Sequence, residues 1–423
     1  MSYRRRLLDD TLDSFLPHLA AVAIEGAKGV GKTATAQQRC RTEIALDDPL
    51  QREALEVNLR LITDVESPVL IDEWQLVPAV WDRVRREVDR DARGGRFILT
   101  GSATPLPGSR THSGAGRIHS LLMRPLSFAE RGLTEPTVSL RALLSGELPP
   151  IGGSSPLGVP EYVDEILRSG FPGMRELPEL VRGPQLDSYV TRIVDRDLPD
   201  AGATVRRPST LLSWLRAYGA ATSTDASYTS ILDAATAGVP DKPVRRTTDG
   251  YRDHLERIFV LDPLPAWTPT FAPLKRLTIG PKHHLVDPAL AARLVGVDAA
   301  GLLRGKGRTI SPQTGTWLGA LFESLVTQSV RVYAGAAGAS VSHVRTKSNE
   351  REIDLIVEAA DMRVVAIEVK LSGSIGDNDV RHLNWLHDQL GDRVVDRVVV
   401  STGPHAYRRP DGVAVVPLAL LGP

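Results

Sequence analysis

The chain has 423 residues, enough for two or three domains of ordinary size. Its 51 basic and 51 acidic side chains balance, so no chain-wide charge attracts nucleic acid, and any such binding has to be local. A single cysteine, Cys40, excludes an internal disulfide framework and fits a reducing compartment.

The first segment, residues 1–19, does not have the pattern of a signal peptide. Asp9, Asp10 and Asp13 fall where a signal peptide would be apolar. Further along, no stretch approaches the roughly 18 consecutive apolar residues that a membrane helix needs. We therefore expect a soluble cytoplasmic protein without a membrane partner.

A predicted strand over residues 21–25 leads into a glycine-rich turn and a helix. The turn has the spacing Gly-x-x-x-x-Gly-Lys-Thr of a phosphate loop, whose backbone N–H groups surround phosphate oxygens. Lys32 is expected to reach the β- and γ-phosphates of ATP, and Thr33 to offer its hydroxyl to Mg²⁺. The expected nucleotide-binding residues are Gly26, Ala27, Lys28, Gly29, Val30, Gly31, Lys32 and Thr33.

A second predicted strand, over residues 67–75, carries the pair Asp72-Glu73. At the tip of a buried parallel strand, Asp72 would lie beside the phosphate loop and hold Mg²⁺ through water. Glu73 would orient or deprotonate the attacking water. The alternative is that the two acids cap the next helix, but the phosphate loop earlier in the chain favours the metal and general-base interpretation.

The third predicted strand, over residues 96–105, contains Thr100 and Ser102 near its end. Their hydroxyls would face the γ-phosphate across the crevice of the sheet. Beyond a Gly/Ser-rich stretch lies Arg117, and an arginine is suited to neutralise charge on a transferring phosphoryl group, often from a neighbouring subunit. The alternative is a surface arginine without such a role.

Four motifs, GAKGVGKT, LIDEWQ, ILTGSAT and GRIHSLLMRPLSFAE, occur in that order. Together they resemble a bacterial and archaeal family of AAA-type ATPases, and the resemblance extends from about residue 18 to 410. Members carry a C-terminal domain of unknown function, with a helical or winged-helix piece and a restriction-endonuclease-like end. The resemblance implies nucleotide binding by Lys32 and Thr33, Mg²⁺ binding by Asp72, water activation by Glu73, a polar sensor at Ser102 (or Thr100) and an arginine finger at Arg117.

The middle of the chain begins with a Pro/Gly/Ser-rich linker over 133–160 and a helical connection. Three predicted helices, over 208–222, 227–238 and 247–262, precede a strand-like segment over 275–287, and the order resembles a winged helix. A DNA reader would bring the third helix to the major groove, with basic residues near phosphates. These basic residues are Arg245, Arg246 and Arg252, and the acids that would oppose them are Asp249, Asp253 and Glu256. DNA reading and a purely structural or partner-docking role both remain open.

The sequence near the end of the chain predicts a helix over 316–334 and then a β-hairpin that turns at 359–362. Asp354 lies on one strand, and Glu368 and Lys370 share one face of the next because side chains alternate along a strand. Two carboxylates and a lysine of this kind can form a metal-dependent hydrolytic site.

This spacing resembles the core of restriction-endonuclease-like nucleases, with Glu323 matching the acid of their first helix and residues 394–403 matching the next strand. The resemblance therefore predicts a nuclease site made of Glu323, Asp354, Glu368 and Lys370. The alternative is an acid–lysine pair on a sheet face that does not cleave.

The sequence thus predicts an α/β protein: a three-layer P-loop ATPase domain, a helical winged-helix-like middle domain and a small α/β restriction-endonuclease-like end. The predicted boundaries are 1–133 for the ATPase domain, 134–206 for the linker and helical connection, 207–275 for the winged-helix-like domain and 276–423 for the nuclease-like domain. The expected cofactors are ATP and Mg²⁺, and the expected partners are DNA or RNA and further copies of the chain. Hydrolysis of ATP on or near nucleic acid is the main functional prediction. The alternatives are a nucleotide-dependent switch or docking protein with an inactive nuclease-like domain, and a metal-dependent nuclease gated by the ATPase.

Overall fold

The computed structural model describes residues 3–103, 114–205, 207–237, 245–268, 280–303, 314–346 and 350–423, without the side chains of 245–247 and 314–316. The chain divides into two compact units. The first contains residues 1–124, 195–205 and 249–260, and the second contains 125–194, 206–248 and 261–423. The domain boundaries expected from the sequence, at 133, 206 and 275, remain predictions.

A parallel sheet forms the centre of the first unit, with five strands in the described ranges and the order β2-β3-β4-β1-β5. The strands are β1 (Ala21–Glu25), β2 (Thr42–Ala45), β3 (Val69–Asp72), β4 (Phe97–Gly101) and β5 (Ile118–Leu122). The helices are α1 (Leu7–Phe15), α2 (Lys32–Gln37), α3 (Pro49–Val57) and α4 (Ala79–Arg90).

Apolar runs explain why these strands lie at the centre. Ala21, Val22, Ala23 and Ile24 are all fully buried, although successive side chains of a strand point to opposite faces. Both faces of β1 are therefore covered, as is usual for a parallel sheet. Because the strands are parallel, their carboxyl ends meet at one edge, and this edge carries the phosphate loop.

The second and third predicted strands are shorter in the structure than expected. β3 ends at Asp72 because Glu73 has a left-handed backbone with φ of 53°, which no strand continues. β4 spans Phe97–Gly101, so Ser102 lies just beyond it. As a result, Asp72, Glu73 and Ser102 lie at or just beyond the ends of their strands. The parallel sheet is consistent with a P-loop-type domain.

The second unit contains a mixed sheet with the order β11-β12-β10-β9-β8-β7. The strands of this unit are β6 (Val138–Ser139), β7 (Ser340–Arg345), β8 (Glu352–Glu358), β9 (Val364–Lys370), β10 (Val394–Ser401), β11 (Tyr407–Arg408), β12 (Ala414–Pro417) and β13 (Leu421–Gly422), and β13 pairs with β6 in parallel. The remaining helices in the described ranges are α5 (Leu140–Leu144), α6 (Val159–Arg168), α7 (Pro172–Arg175), α8 (Glu179–Arg192), α9 (Leu198–Asp200), α10 (Pro208–Ala220), α11 (Tyr228–Ala235), α12 (Arg245–Arg257), α13 (Pro288–Val295), α14 (Ala299–Leu303), α15 (Thr314–Ala336) and α16 (Asp377–Leu390). Of these, α9 and residues 249–257 of α12 belong to the first unit.

The hairpin and helix predicted near the end of the chain are confirmed. β8 and β9 pair antiparallel, and the Ala359 N–H donates to the Arg363 carbonyl where the chain turns. α15 covers the predicted helix over 316–334. β10 then runs parallel to β9 after α16, so the segment predicted at 394–403 does form the next strand.

The three helices of the predicted winged helix are present as α10, α11 and α12. The strand-like segment expected at 275–287 is only partly described, since 269–279 lie outside the described residues. Its remainder forms isolated bridges, from Lys282 to Leu264 and from Leu285 to Leu261, rather than a strand. The winged-helix assignment therefore stays a prediction. No helix in the described ranges is long and apolar enough to cross a membrane.

Candidate functional site

The phosphate-loop turn between β1 and α2 requires glycine at its first position. Gly26 has φ of 151°, and a Cβ atom built there would lie 2.2 Å from the Met123 carbonyl oxygen. Gly29 and Gly31 also have positive φ angles, of 82° and 103°. The glycines thus allow a tight turn whose backbone lies close to the neighbouring segment at Met123. A phosphate loop needs such a turn.

Lys32 extends back over this loop. Its side chain is buried, and Nζ donates to the carbonyl oxygens of Gly26 at 2.8 Å and Ala27 at 3.0 Å. Burial lowers the pKa of Lys32 to about 8, although Glu73 and Asp72 partly oppose this shift. A desolvated ammonium of this kind is strongly stabilised by a phosphate oxygen.

Asp72 receives hydrogen bonds from two hydroxyls, one in α2 and one in β4. Its Oδ1 accepts from Thr33 Oγ1 at 2.9 Å and from Thr100 Oγ1. A carboxylate and a hydroxyl oxygen therefore meet beside the phosphate loop, and oxygen atoms are the ligands that Mg²⁺ prefers. The residues fit a magnesium ion carried by ATP, with Thr33 and Asp72 as the side chains that would hold it directly or through water.

Glu73 lies next to this pair and is held by polar neighbours. Its Oε2 accepts from Ser102 Oγ at 2.9 Å and from Gln75 Nε2. Gln75 Nε2 also donates to Ser102 Oγ at 3.2 Å. A left-handed backbone is uncommon for a residue other than glycine, and here it turns the Glu73 carboxylate towards Ser102.

Two further contacts fix the loop, and the sequence did not indicate either. The Arg6 guanidinium is buried and donates to the carbonyls of Val30 at 2.9 Å and Arg124 at 2.8 Å. Lys28 Nζ forms an ion pair with Asp197 at 2.6 Å. Nothing in the run of three arginines, residues 4–6, distinguishes the one that turns inward.

Arg117 lies elsewhere on the same sheet. It precedes β5, whose first residue Ile118 pairs with Ala21 at the start of β1. Arg117 is therefore at the opposite edge from the phosphate loop, which follows the end of β1. Its half-exposed guanidinium forms an ion pair with Asp89 on α4 at 2.8 Å.

The acids predicted near the end of the chain converge in the second unit, around a lysine that the sequence did not indicate. Lys282 Nζ lies 2.9 Å from carboxylate oxygens of Glu323, Glu352 and Asp354. Asp354 also accepts from the Val369 N–H at 2.9 Å through its other oxygen.

The other two predicted residues form a separate contact. Lys370 Nζ donates to Glu368 Oε1 at 2.8 Å, while the buried Glu368 Oε2 has no hydrogen-bond partner in the described residues. The predicted residues are thus neighbours. In the described ranges, however, no group of three or more His, Cys, Asp or Glu side chains is placed to hold a metal ion.

The pKa values of these acids follow from burial and from their neighbours. Burial and the Asp354 charge raise the pKa of Glu323 and that of Glu368 to about 8. Burial alone would raise the pKa of Asp354 too, but the Lys282 ammonium overrides it and the pKa lies below its usual value. Burial would lower the pKa of Lys282, yet its three acids hold that pKa well above the ordinary value.

The sequence analysis did not identify Glu352 and Lys282, and only Glu352 has a local signal in the sequence. Glu352 lies two positions before Asp354 on β8, so strand periodicity places it on the same face. Lys282 is 41 positions from Glu323 and 72 from Asp354, and no local pattern joins residues so far apart.

Three parts of the chain match known family models. Residues 19–132 match an AAA domain, residues 318–421 match a domain of unknown function (DUF4143), and residues 159–301 match another (DUF8612). The chain is also similar to two mycobacterial proteins described only as uncharacterized, Rv2008c of Mycobacterium tuberculosis and Mb2031c of Mycobacterium bovis. Each is 26% identical over 428 residues, covering 99% of this chain and 84% of the relative. These matches support an AAA-type ATPase family that carries an additional C-terminal domain of unknown function.

Proposed function

We propose that this protein binds ATP with Mg²⁺ in the phosphate loop and hydrolyses it. The observation that carries the proposal is the contact of Thr33 and Thr100 with one oxygen of Asp72, directly beside the buried Lys32 ammonium. It supports the proposal because it joins a phosphate-binding cation to oxygen ligands for the metal of ATP.

In the proposed reaction, a water oxygen attacks the γ-phosphorus, and the bond from that phosphorus to the β–γ bridging oxygen breaks. Glu73 accepts the proton of this water, and ADP leaves with the electron pair of the broken bond. Ser102 positions the Glu73 carboxylate by donating to it. When bound, Mg²⁺ supplies charge neutralisation to the phosphate oxygens.

Two variants separate binding from hydrolysis. Lys32→Ala should lose ATP binding, because Lys32 supplies the ammonium that we assign to the β- and γ-phosphates. Glu73→Gln should bind ATP like the wild type and turn it over at least ~100-fold more slowly, because an amide cannot take the proton. Binding is measured with a fluorescent ATP analogue and turnover by phosphate release.

Glu66→Gln is the matched control, since Glu66 is an exposed acid paired with Arg41 on the protein surface. It should leave both readouts unchanged. Wild-type turnover by Glu73→Gln would refute the assignment of the proton acceptor, and ATP binding by Lys32→Ala would refute that of the phosphate contact.

We also propose that turnover serves an action on or near nucleic acid, as the sequence predicts. The side chains of Arg245 and Arg246 lie outside the described residues. Arg252 contacts Asp249 at 3.4 Å and Asp253 at 3.1 Å, so phosphate would have to compete with these acids. ATP turnover measured with and without DNA or RNA tests this part, and stimulation is the expected result.

A second candidate is a nucleotide-dependent switch whose nuclease-like domain docks without cleaving. The observation that favours it is the buried lysine at the centre of the predicted nuclease acids. A switch should turn ATP over slowly, without a response to nucleic acid. An ATPase-gated nuclease, in contrast, should cut DNA or RNA only when ATP and a divalent metal are both present.

A further inference from the structure

Lys282 is among the most deeply buried charged side chains of the second unit. It is 1% exposed, and its ammonium contacts three carboxylates from three different positions in the sequence. Glu323 comes from α15, and Glu352 and Asp354 come from β8. A charged group this deep is stable only with compensating partners, which these acids provide.

Backbone contacts hold the lysine in this place. The Lys282 N–H donates to the Leu264 carbonyl at 3.0 Å, and the Leu264 N–H donates to the Lys282 carbonyl at 2.9 Å. The next residue is held in the same manner, because the His283 N–H donates to the Thr224 carbonyl at 2.8 Å. The backbone from which the Lys282 side chain projects is therefore fixed on both sides.

Charge-assisted hydrogen bonds of 2.9 Å hold the Lys282 ammonium between carboxylate oxygens of Glu323, Glu352 and Asp354. A divalent ion using Glu323 and Asp354 would lie against the Lys282 charge. The predicted metal ligands therefore do not fit a metal ion while Lys282 is present.

The remaining pair does not supply a second site. Glu368 has one oxygen on Lys370 and one buried without a partner in the described residues. A metal ion at Glu368 would have to displace the Lys370 ammonium from one of its two oxygens.

We propose that the Lys282 ammonium is the resident cation of this cluster, so that the restriction-endonuclease-like core neither binds a divalent metal here nor cuts phosphodiester bonds. Lys282 thus does for the fold what a metal would do, by joining α15 to β8 through their acids. The proposal is independent of ATP hydrolysis in the phosphate loop.

Mn²⁺ titration of the nucleotide-free full-length protein tests the proposal. The wild type and Asp354→Asn should give the same calorimetric isotherm, because Asp354 binds no metal. Lys282→Met removes the ammonium but keeps the apolar stem, and it should gain one Mn²⁺ per chain. This gain should disappear in Lys282→Met combined with Asp354→Asn.

Lys370→Met is the matched control, because it removes the lysine of the neighbouring Glu368 contact and leaves Lys282 on its three acids. It should gain no Mn²⁺. Thermal unfolding gives a second readout: Lys282→Met should melt below the wild type without metal and recover with Mn²⁺, since a ligand of the native state stabilises it. The wild-type melting temperature should show no Asp354-dependent response to Mn²⁺.

Mn²⁺ binding by the wild type that is lost in Asp354→Asn would overturn the proposal, as would metal-dependent DNA or RNA cleavage that is lost in the same variant. A folded Lys282→Met that gains no Mn²⁺ would overturn it too. If Lys282→Met does not fold, the wild type and Asp354→Asn decide alone: identical isotherms support the proposal, and a difference refutes it.

Discussion

At the scale of single residues, buried charges in the second unit are compensated in groups. Glu165 Oε2 accepts from Arg131 Nη1 at 2.9 Å and from Arg175 Nη1 at 2.8 Å. All three residues are buried, and both guanidiniums also donate to backbone carbonyls. The carboxylate thus offsets two cations that have little access to water.

Replacing Glu165 by alanine should be strongly destabilising. The change leaves two buried guanidiniums without their shared acid, and breaking a buried charge group typically costs about 3–5 kcal/mol. Urea denaturation followed by circular dichroism measures the loss of unfolding free energy. Glu147→Ala, at an exposed acid, is the control and should change it by less than about 0.5 kcal/mol. A loss below about 1 kcal/mol for Glu165→Ala would show that water or other groups compensate the two arginines.

The sequence could predict which residues of one short motif lie together, while their roles stay predictions. Lys32 and Thr33 are fixed by one turn, and the structure places Thr33 on Asp72 because both end up at the same sheet edge. The sequence could not predict partners that only the fold brings together, such as Lys282 and Glu323. Charge balance between distant residues has no signature in the local pattern.

At the scale of elements, the phosphate loop depends on the space left at Gly26. A side chain there would collide with the backbone of Met123, which cannot move aside as a flexible side chain can. The Met123 N–H also donates to the Glu25 carbonyl at 2.7 Å, so the two segments are held together just before the turn.

Gly26→Ala should therefore abolish ATP binding while the rest of the sheet still forms. The expected cause is displacement of the loop by a contact of 2.2 Å. Gly132→Ala is the control: it also has positive φ, but a Cβ atom there meets nothing within 4 Å. It should cost about 1 kcal/mol of stability and keep ATP binding. Equal ATP affinity in the two variants would contradict the steric argument.

Elements with a clear periodicity could be predicted, but their ends could not. The alternation in 352–370 predicted the β8–β9 hairpin and its turn. The strand expected over 67–75 ends instead at Asp72, because the left-handed conformation of Glu73 is set by its polar contacts and not by strand propensity. Polar residues at a site override the local pattern.

At the scale of the whole molecule, the position of Arg117 bears on assembly. An arginine at the opposite sheet edge from its own phosphate loop cannot reach the γ-phosphate bound there without a large rearrangement. If it assists hydrolysis, it does so at the nucleotide of another copy. The homo-oligomer that the sequence predicts would supply that copy.

Mixing variants tests this arrangement. Arg117→Ala and Glu73→Gln should each be inactive, and their mixture should recover some phosphate release because mixed assemblies contain intact sites. Turnover per chain of the wild type should fall on dilution. Asp89→Ala removes the ion-pair partner of Arg117 and should keep turnover, whereas a purely structural Arg117–Asp89 pair predicts equal losses in both variants. Failure of the mixture to recover, with turnover independent of concentration, would exclude an arginine acting between copies.

The five-stranded sheet and the β6–β13 pair also differ in when they can be completed during synthesis. The described strands of the five-stranded sheet lie between residues 21 and 122, whereas Thr134, shortly before β6, donates to the Ala419 carbonyl across 285 positions. A ribosome adds about 5–20 residues per second, so roughly 15 to 60 s separate the translation of these two residues. Throughout that interval β6 lacks β13, its partner in the described residues, while the described strands of the five-stranded sheet have all been translated. We therefore expect the five-stranded sheet to form first.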